Sequence, residues 1–103
     1  MTTLAEMIDA RFEFMKILVM DTVDKYAADA DRLNQKPESE LSDEDKNILT
    51  CFEKISRNTR QMALLDEAAP EGNLIVGQAL IFLMEDSYEA AQFIQKVMLK
   101  RES

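Results

Sequence analysis

An all-α fold, an antiparallel bundle of three long helices at about 3–34, 43–66 and 73–101, is what this sequence predicts. Three observations carry it. Apolar residues recur at steps of three and four over most of the chain. Helix-starting residues stand at the head of each run. The chain holds only two glycines and two prolines, and they fall mostly where the patterns stop. A chain of 103 residues has room for one modest core, so residues 1–103 read as a single helical domain.

The first helix opens at Thr3, which with Glu6 matches a capping box: a hydroxyl for a first-turn amide and a carboxylate for the cap's own N–H. Leu4, Ile8, Phe12, Met15, Val19, Val23, Tyr26, Ala30 and Leu33 then share one face. Lys36-Pro37 ends the run, because proline disfavours helical geometry before it and has no amide to donate. Ser42 offers the next N-cap, with Asp43, Glu44 and Asp45 placed against the positive end of the helix dipole. Ile48, Phe52, Ile55, Thr59 and Met62 form the stripe of this second helix, flanked by Cys51, and Glu53 stands one turn before Arg57 in the orientation that favours an ion pair.

Pro70 and Gly72 mark a turn before the third helix. Its predicted inner face holds Val76, Ala79, Leu80, Leu83, Ala90, Ala91, Ile94, Val97 and Met98, with Lys96, Lys100 and Arg101 complementing its C-terminal end. Gly77 weakens the first turn by up to about 1 kcal/mol relative to alanine. It marks either an uncertain boundary or a close approach by another helix.

Composition narrows function by exclusion. Apolar residues at 47% and charged residues at 31% suit a chain that folds in water. The longest apolar-rich stretch, Phe12 to Met20, is interrupted by Glu13 and Lys16 and is far short of the roughly 20 residues a bilayer span needs. No membrane association is expected. The residues from Met1 to Glu6 lack the basic and apolar segments of a secretory signal, which points to the cytoplasm of a bacterium or of an infected host.

Histidine is absent and Cys51 is the only cysteine. The commonest general base and metal ligand are therefore missing, no internal disulfide is possible, and Cys51 reads as a small buried hydrophobe. Asp29, Asp31 and Glu40 fit the first, third and twelfth places of a calcium loop, but Leu33 cannot ligate at the fifth and Asn34 replaces the turn glycine. The pairs Asp9/Glu13 and Glu85/Glu89 lack the histidines of a di-metal bundle site. No phosphate-binding glycine motif occurs. Neither catalysis nor a cofactor is expected.

Net charge is −8, which disfavours direct binding to nucleic acid. The densest negative region comprises Asp21, Asp24, Asp29, Asp31, Glu38, Glu40, Asp43, Glu44 and Asp45, a candidate surface for a basic partner. Lys54, Arg57 and Arg60 make one locally basic face, expected to pair with Glu53 and acidic neighbours.

Two helices carry more apolar surface than one stripe requires. Met7, Phe14, Ile17, Leu18 and Met20 in the first, and Ile75, Phe82, Tyr88 and Phe93 in the third, form a candidate self-association surface. A homodimer is expected. Met15, Met62 and Met98 read as core, while Met7 and Met20 read as interface. The resulting expectation is a non-catalytic helical interaction protein acting through protein–protein contacts as an adaptor, chaperone-like binder or regulator. The alternative is an acidic inhibitor or nucleic-acid mimic that blocks a basic site, such as a phage-encoded anti-defence protein.

Overall fold

The computed structural model describes residues 2–68 and 73–103. It contains α1 (Leu4–Gln35), a 3-10 turn at Glu38–Glu40, α2 (Asp43–Ala68) and α3 (Leu74–Glu102), with no strand among the described residues. These bounds match the predicted ones to within one or two residues, because capping chemistry sits where the sequence places it. The turn expected at Pro70 and Gly72 lies outside the described residues.

Thr3 Oγ1 accepts from the Glu6 amide at 3.1 Å. The return bond from the Thr3 amide to the Glu6 carboxylate is not made, so only half of that box forms. A complete box stands instead at α2, where the Asp45 amide donates to Ser42 Oγ at 3.0 Å and the Ser42 amide donates to Asp45 Oδ2 at 3.1 Å. Asn73 caps α3, its side-chain oxygen accepting from the amides of Ile75 and Val76.

The helices run up, down and up. Arg101 of α3 meets Asp45 of α2, and Ser87 meets Asn58, so these two are antiparallel. Arg11 lies near Glu85 and Gln95 bonds Thr22, so α1 and α3 are parallel neighbours. The contact between α2 and α3 is the most extensive of the three, and the seam between α1 and α2 is the thinnest.

The buried core occupies one end of the molecule. Met15, Val19, Tyr26 and Leu33 of α1, Ile48 and Ile55 of α2, and Met84, Ala90, Ala91, Ile94, Val97 and Met98 of α3 build it. Each large side chain there contributes about 1.5–3 kcal/mol by leaving water. Two parts of the predicted stripes fall outside it. Leu4 and Ile8 continue the α1 stripe but stand 72% and 43% exposed, because neither α2 nor α3 covers the first turns of α1. Thr59 is exposed and Phe52 and Met62 only half-buried, while the polar Asn58 takes a core position on α2. In α3, Val76, Ala79, Leu80 and Leu83 are half-buried, and Met84 and Ser87 turn inward. A Cβ built on Gly77 would meet nothing within 4 Å, so no helix approaches it closely.

The result is an extended molecule. Its Cα radius of gyration is 15.9 Å over 49 × 31 × 19 Å, against about 13 Å for a compact domain of roughly 100 residues. Accessible surface is 7476 Å², roughly 1,500 Å² above what a compact 11.8 kDa monomer exposes.

Candidate interaction surfaces

Two polar contacts fix α3 against α2 and so decide what stays uncovered. Buried Asn58 directs its side-chain amide at Asp86 Oδ2 (2.9 Å), Ser87 Oγ (3.2 Å) and the Leu83 carbonyl (3.4 Å). Lys54 Nζ adds a 3.5 Å contact to the same Asp86 carboxylate. An amide carries two hydrogens, so these acceptors share them. All the buried side-chain polar atoms among the described residues are partnered. At the far end of this seam, Arg101 Nη2 donates to Asp45 Oδ1 at 2.7 Å and to Glu44 Oε1 at 2.9 Å, tying the end of α3 to the start of α2. The bond from the Ser42 amide, and then Arg101, hold the Asp45 carboxyl below the ordinary carboxylate range.

These contacts redistribute the acidic residues. Asp45, expected on a partner surface, is buried and committed to Ser42 and Arg101, since its position in the first turn of α2 faces the end of α3. Glu44 shares that guanidinium, Asp29 pairs with Arg32, and Glu38 lies 4.0 Å from Lys46. Asp21, Asp24, Asp31, Glu40 and Asp43 are exposed and form no ion pair among the described residues. Asp29 to Gln35 are helical, so they cannot wrap a calcium ion as a loop does. Among the described residues no group of three or more His, Cys, Asp or Glu side chains is placed to hold a metal.

Of the basic face, Lys54 joins the α2–α3 seam, while Arg57 and Arg60 are exposed without an ion pair among the described residues. The expected pairing of Glu53 with Arg57 is not made. Cys51 is half-buried rather than buried, and burial pushes its thiol above the usual value, with Lys54 drawing it the other way. The upward shift leaves less of it as thiolate, the form that attacks electrophiles.

The predicted self-association residues separate into three groups. Phe14 meets Tyr88 edge-on, with ring centroids 6.2 Å apart, and with Met7 and the half-buried Leu18 it forms an apolar strip along the α1–α3 side. Ile75 and Phe82 stand 78% and 72% exposed on the edge of α3 nearer α2, following the helical turn past Asp86. Phe93 shares that edge but packs on the core. Met20 faces the α1–α2 seam, and Ile17 points to solvent beside it. Leu4, Ile8, Leu64 and Leu74 enlarge the exposed set.

The α1–α2 seam is an open groove. Met20, Val23 and Ala27 on one side face Phe52, Ile55 and Thr59 on the other around a volume of about 580 Å³. A second section of about 290 Å³ continues it from Phe12 to Met62 and Leu80. The spacing of residues alone cannot show this feature, since Val23 and Ile55 both belong to ordinary apolar stripes. No described helix is long and apolar enough to cross a membrane.

No protein family, curated protein or solved structure matches the chain.

Proposed function

We propose that this protein acts without catalysis, as a small helical interaction protein whose uncovered end associates with another chain, in the first instance a second copy of itself. The observation that carries this reading is where exposed apolar side chains fall. Among the described residues, the large exposed ones other than Leu99 fall on α1 from Leu4 to Met20, on α2 at Leu64 and on α3 from Leu74 to Phe82; Ile17 and Met20 stand on the outer face of α1 beside the core, and the others lie toward the end away from Arg101. Monomeric proteins rarely leave apolar patches of that kind in water. The excess of roughly 1,500 Å² over a compact monomer also suffices for a standard interface, which takes about 800 Å² from each partner.

The dimer reading draws on Phe14, Ile17, Ile75 and Phe82. Burial of four such side chains per subunit offsets a sizeable part of the cost of association. Cytoplasmic placement and the role of regulator or adaptor belong to the same proposal. An acidic mimic of nucleic acid has less support. Glu6, Glu13, Asp24 and Asp31 share one edge of α1, but steps of seven and eleven residues separate them by about 10 and 16 Å. Phosphates along one strand advance only about 3.4 Å.

Light scattering at micromolar concentration tests the proposal. The expected result is twice the chain mass of 11.8 kDa. Replacing Ile17 and Phe82 by Glu is expected to give monomers of undiminished helicity. A native chain that stays monomeric overturns the dimer.

A further inference from the structure

The groove between α1 and α2 differs from the exposed end in shape and charge. From Phe12 to Asn34 it follows α1 for about 33 Å, the length of a helix of some 22 residues. Its floor is apolar, and small residues, Ala27, Ser56 and Ala63, keep it wide enough for another backbone to approach. Its α1 edge is acidic. At 100° per residue, Glu13, Asp24 and Asp31 fall on one side of the helix, Asp24 and Asp31 lining the groove, and none of them forms an ion pair among the described residues. Arg60 lies on the α2 side, and Lys16 and Asp66 lie at the upper section.

This layout selects between occupants. A second copy whose two-fold axis crosses the groove sets the acidic edge against itself. Like charges facing each other across an interface oppose association. A helix with an apolar stripe and cations on one flank meets no such penalty, and its charges answer Asp24 and Asp31 directly.

Resting on the reading that the protein works through protein contacts, we propose that the α1–α2 groove seats an amphipathic helix of a different protein, with Lys or Arg along the flank that meets α1. Its apolar stripe covers Met20, Val23 and Ala27 and completes a four-helix bundle. Met20 is taken up by this contact, while Phe14, Ile17, Ile75 and Phe82 lie outside the groove, so the two contacts are compatible.

The test screens the full chain against displayed helical peptides that share a leucine–alanine stripe and carry flanks randomised among Lys, Glu and Gln. Enriched peptides are expected to carry Lys on one flank. Ala27→Glu is expected to weaken them at least tenfold, with Ser56→Trp as a second blocking variant, and Phe82→Ser to leave them unchanged. Asp24→Lys combined with Asp31→Lys is expected to shift preference to Glu-flanked peptides. Absence of enrichment, flanks without cations, or binding indifferent to both blocking variants overturns the proposal. Sedimentation without peptide separates this outcome from that of the dimer. A monomer that still binds Lys-flanked peptides fails only the dimer. Loss of a native dimer on Ala27→Glu assigns the groove to a second copy and overturns the proposal.

Discussion

The two ends of this molecule are built from the same three helices and obey different rules. At one end, Ile94, Ala91, Ser87, Ile48 and Met15 are at most 2% exposed, and Arg101 joins α3 to the head of α2. At the other, the same α1 stripe continues through Ile8 and Leu4 into solvent, and Phe82 and Ile75 are nearly as exposed as an isolated chain would leave them. Helix formation is therefore uniform while burial is not. The difference teaches that an apolar periodicity specifies which face of a helix seeks cover, and the reach of neighbouring helices decides whether cover arrives.

Substitutions that distinguish the ends should differ most in stability. Ile94→Ala, at a site with no exposure, is expected to cost about 2–5 kcal/mol in urea unfolding of dilute protein. Phe82→Ala is expected to change it by less than about 0.5 kcal/mol under the same conditions. Comparable losses at both sites would mean that Phe82 is covered within the monomer and would break the contrast.

The next effect concerns the α2–α3 seam. Asn58→Ala removes the donor shared by Asp86, Ser87 and the Leu83 carbonyl, and leaving the buried Ser87 hydroxyl without it costs about 1–3 kcal/mol. Denaturant titration checks it, and a neutral outcome would show that the seam holds without this network.

How much of this was legible in the sequence depends on the kind of signal. The starts of α1 and α2 were legible, since Thr3 and Ser42 cap by chemistry local to a few residues, while the cap at Asn73 was read only as part of a turn. Core identity was legible where stripes overlap, as at Met15, Val19, Ile48 and Ile55. Asn58 and Ser87 were not, because a polar residue enters a core only with a partner that lies far off in the chain. Asp45 was read as surface for the same reason. A Ser-x-x-Asp pattern at Ser42 signals its capping role, but nothing local signals Arg101. The groove was invisible, being a gap between two stripes that each look complete.

A smaller effect follows from Asp45 and varies with pH. Its carboxyl is depressed in the folded chain, so it contributes stability above the ordinary unfolded value of about 3.9 and loses it as pH falls through the folded value. Asp45→Asn is expected to cost about 1 kcal/mol at neutral pH and to flatten the decline in thermal midpoint below about pH 4. An equal acid-induced decline in the native chain and the variant would remove Asp45 from the acid response.

Hydrogen–deuterium exchange, read by mass spectrometry at submicromolar and at high micromolar concentration, tests most directly the claim that the uncovered end is an association surface. At low concentration the amides of residues 22–33 and 87–98 are expected to exchange slowly and those of residues 4–14 and 74–82 quickly. At high concentration protection should rise in residues 4–20 and 74–82 while the closed end stays unchanged. Exchange that is independent of concentration in both segments would contradict the account, and protection gained only around residues 43–48 and 98–102 would place association at the opposite end.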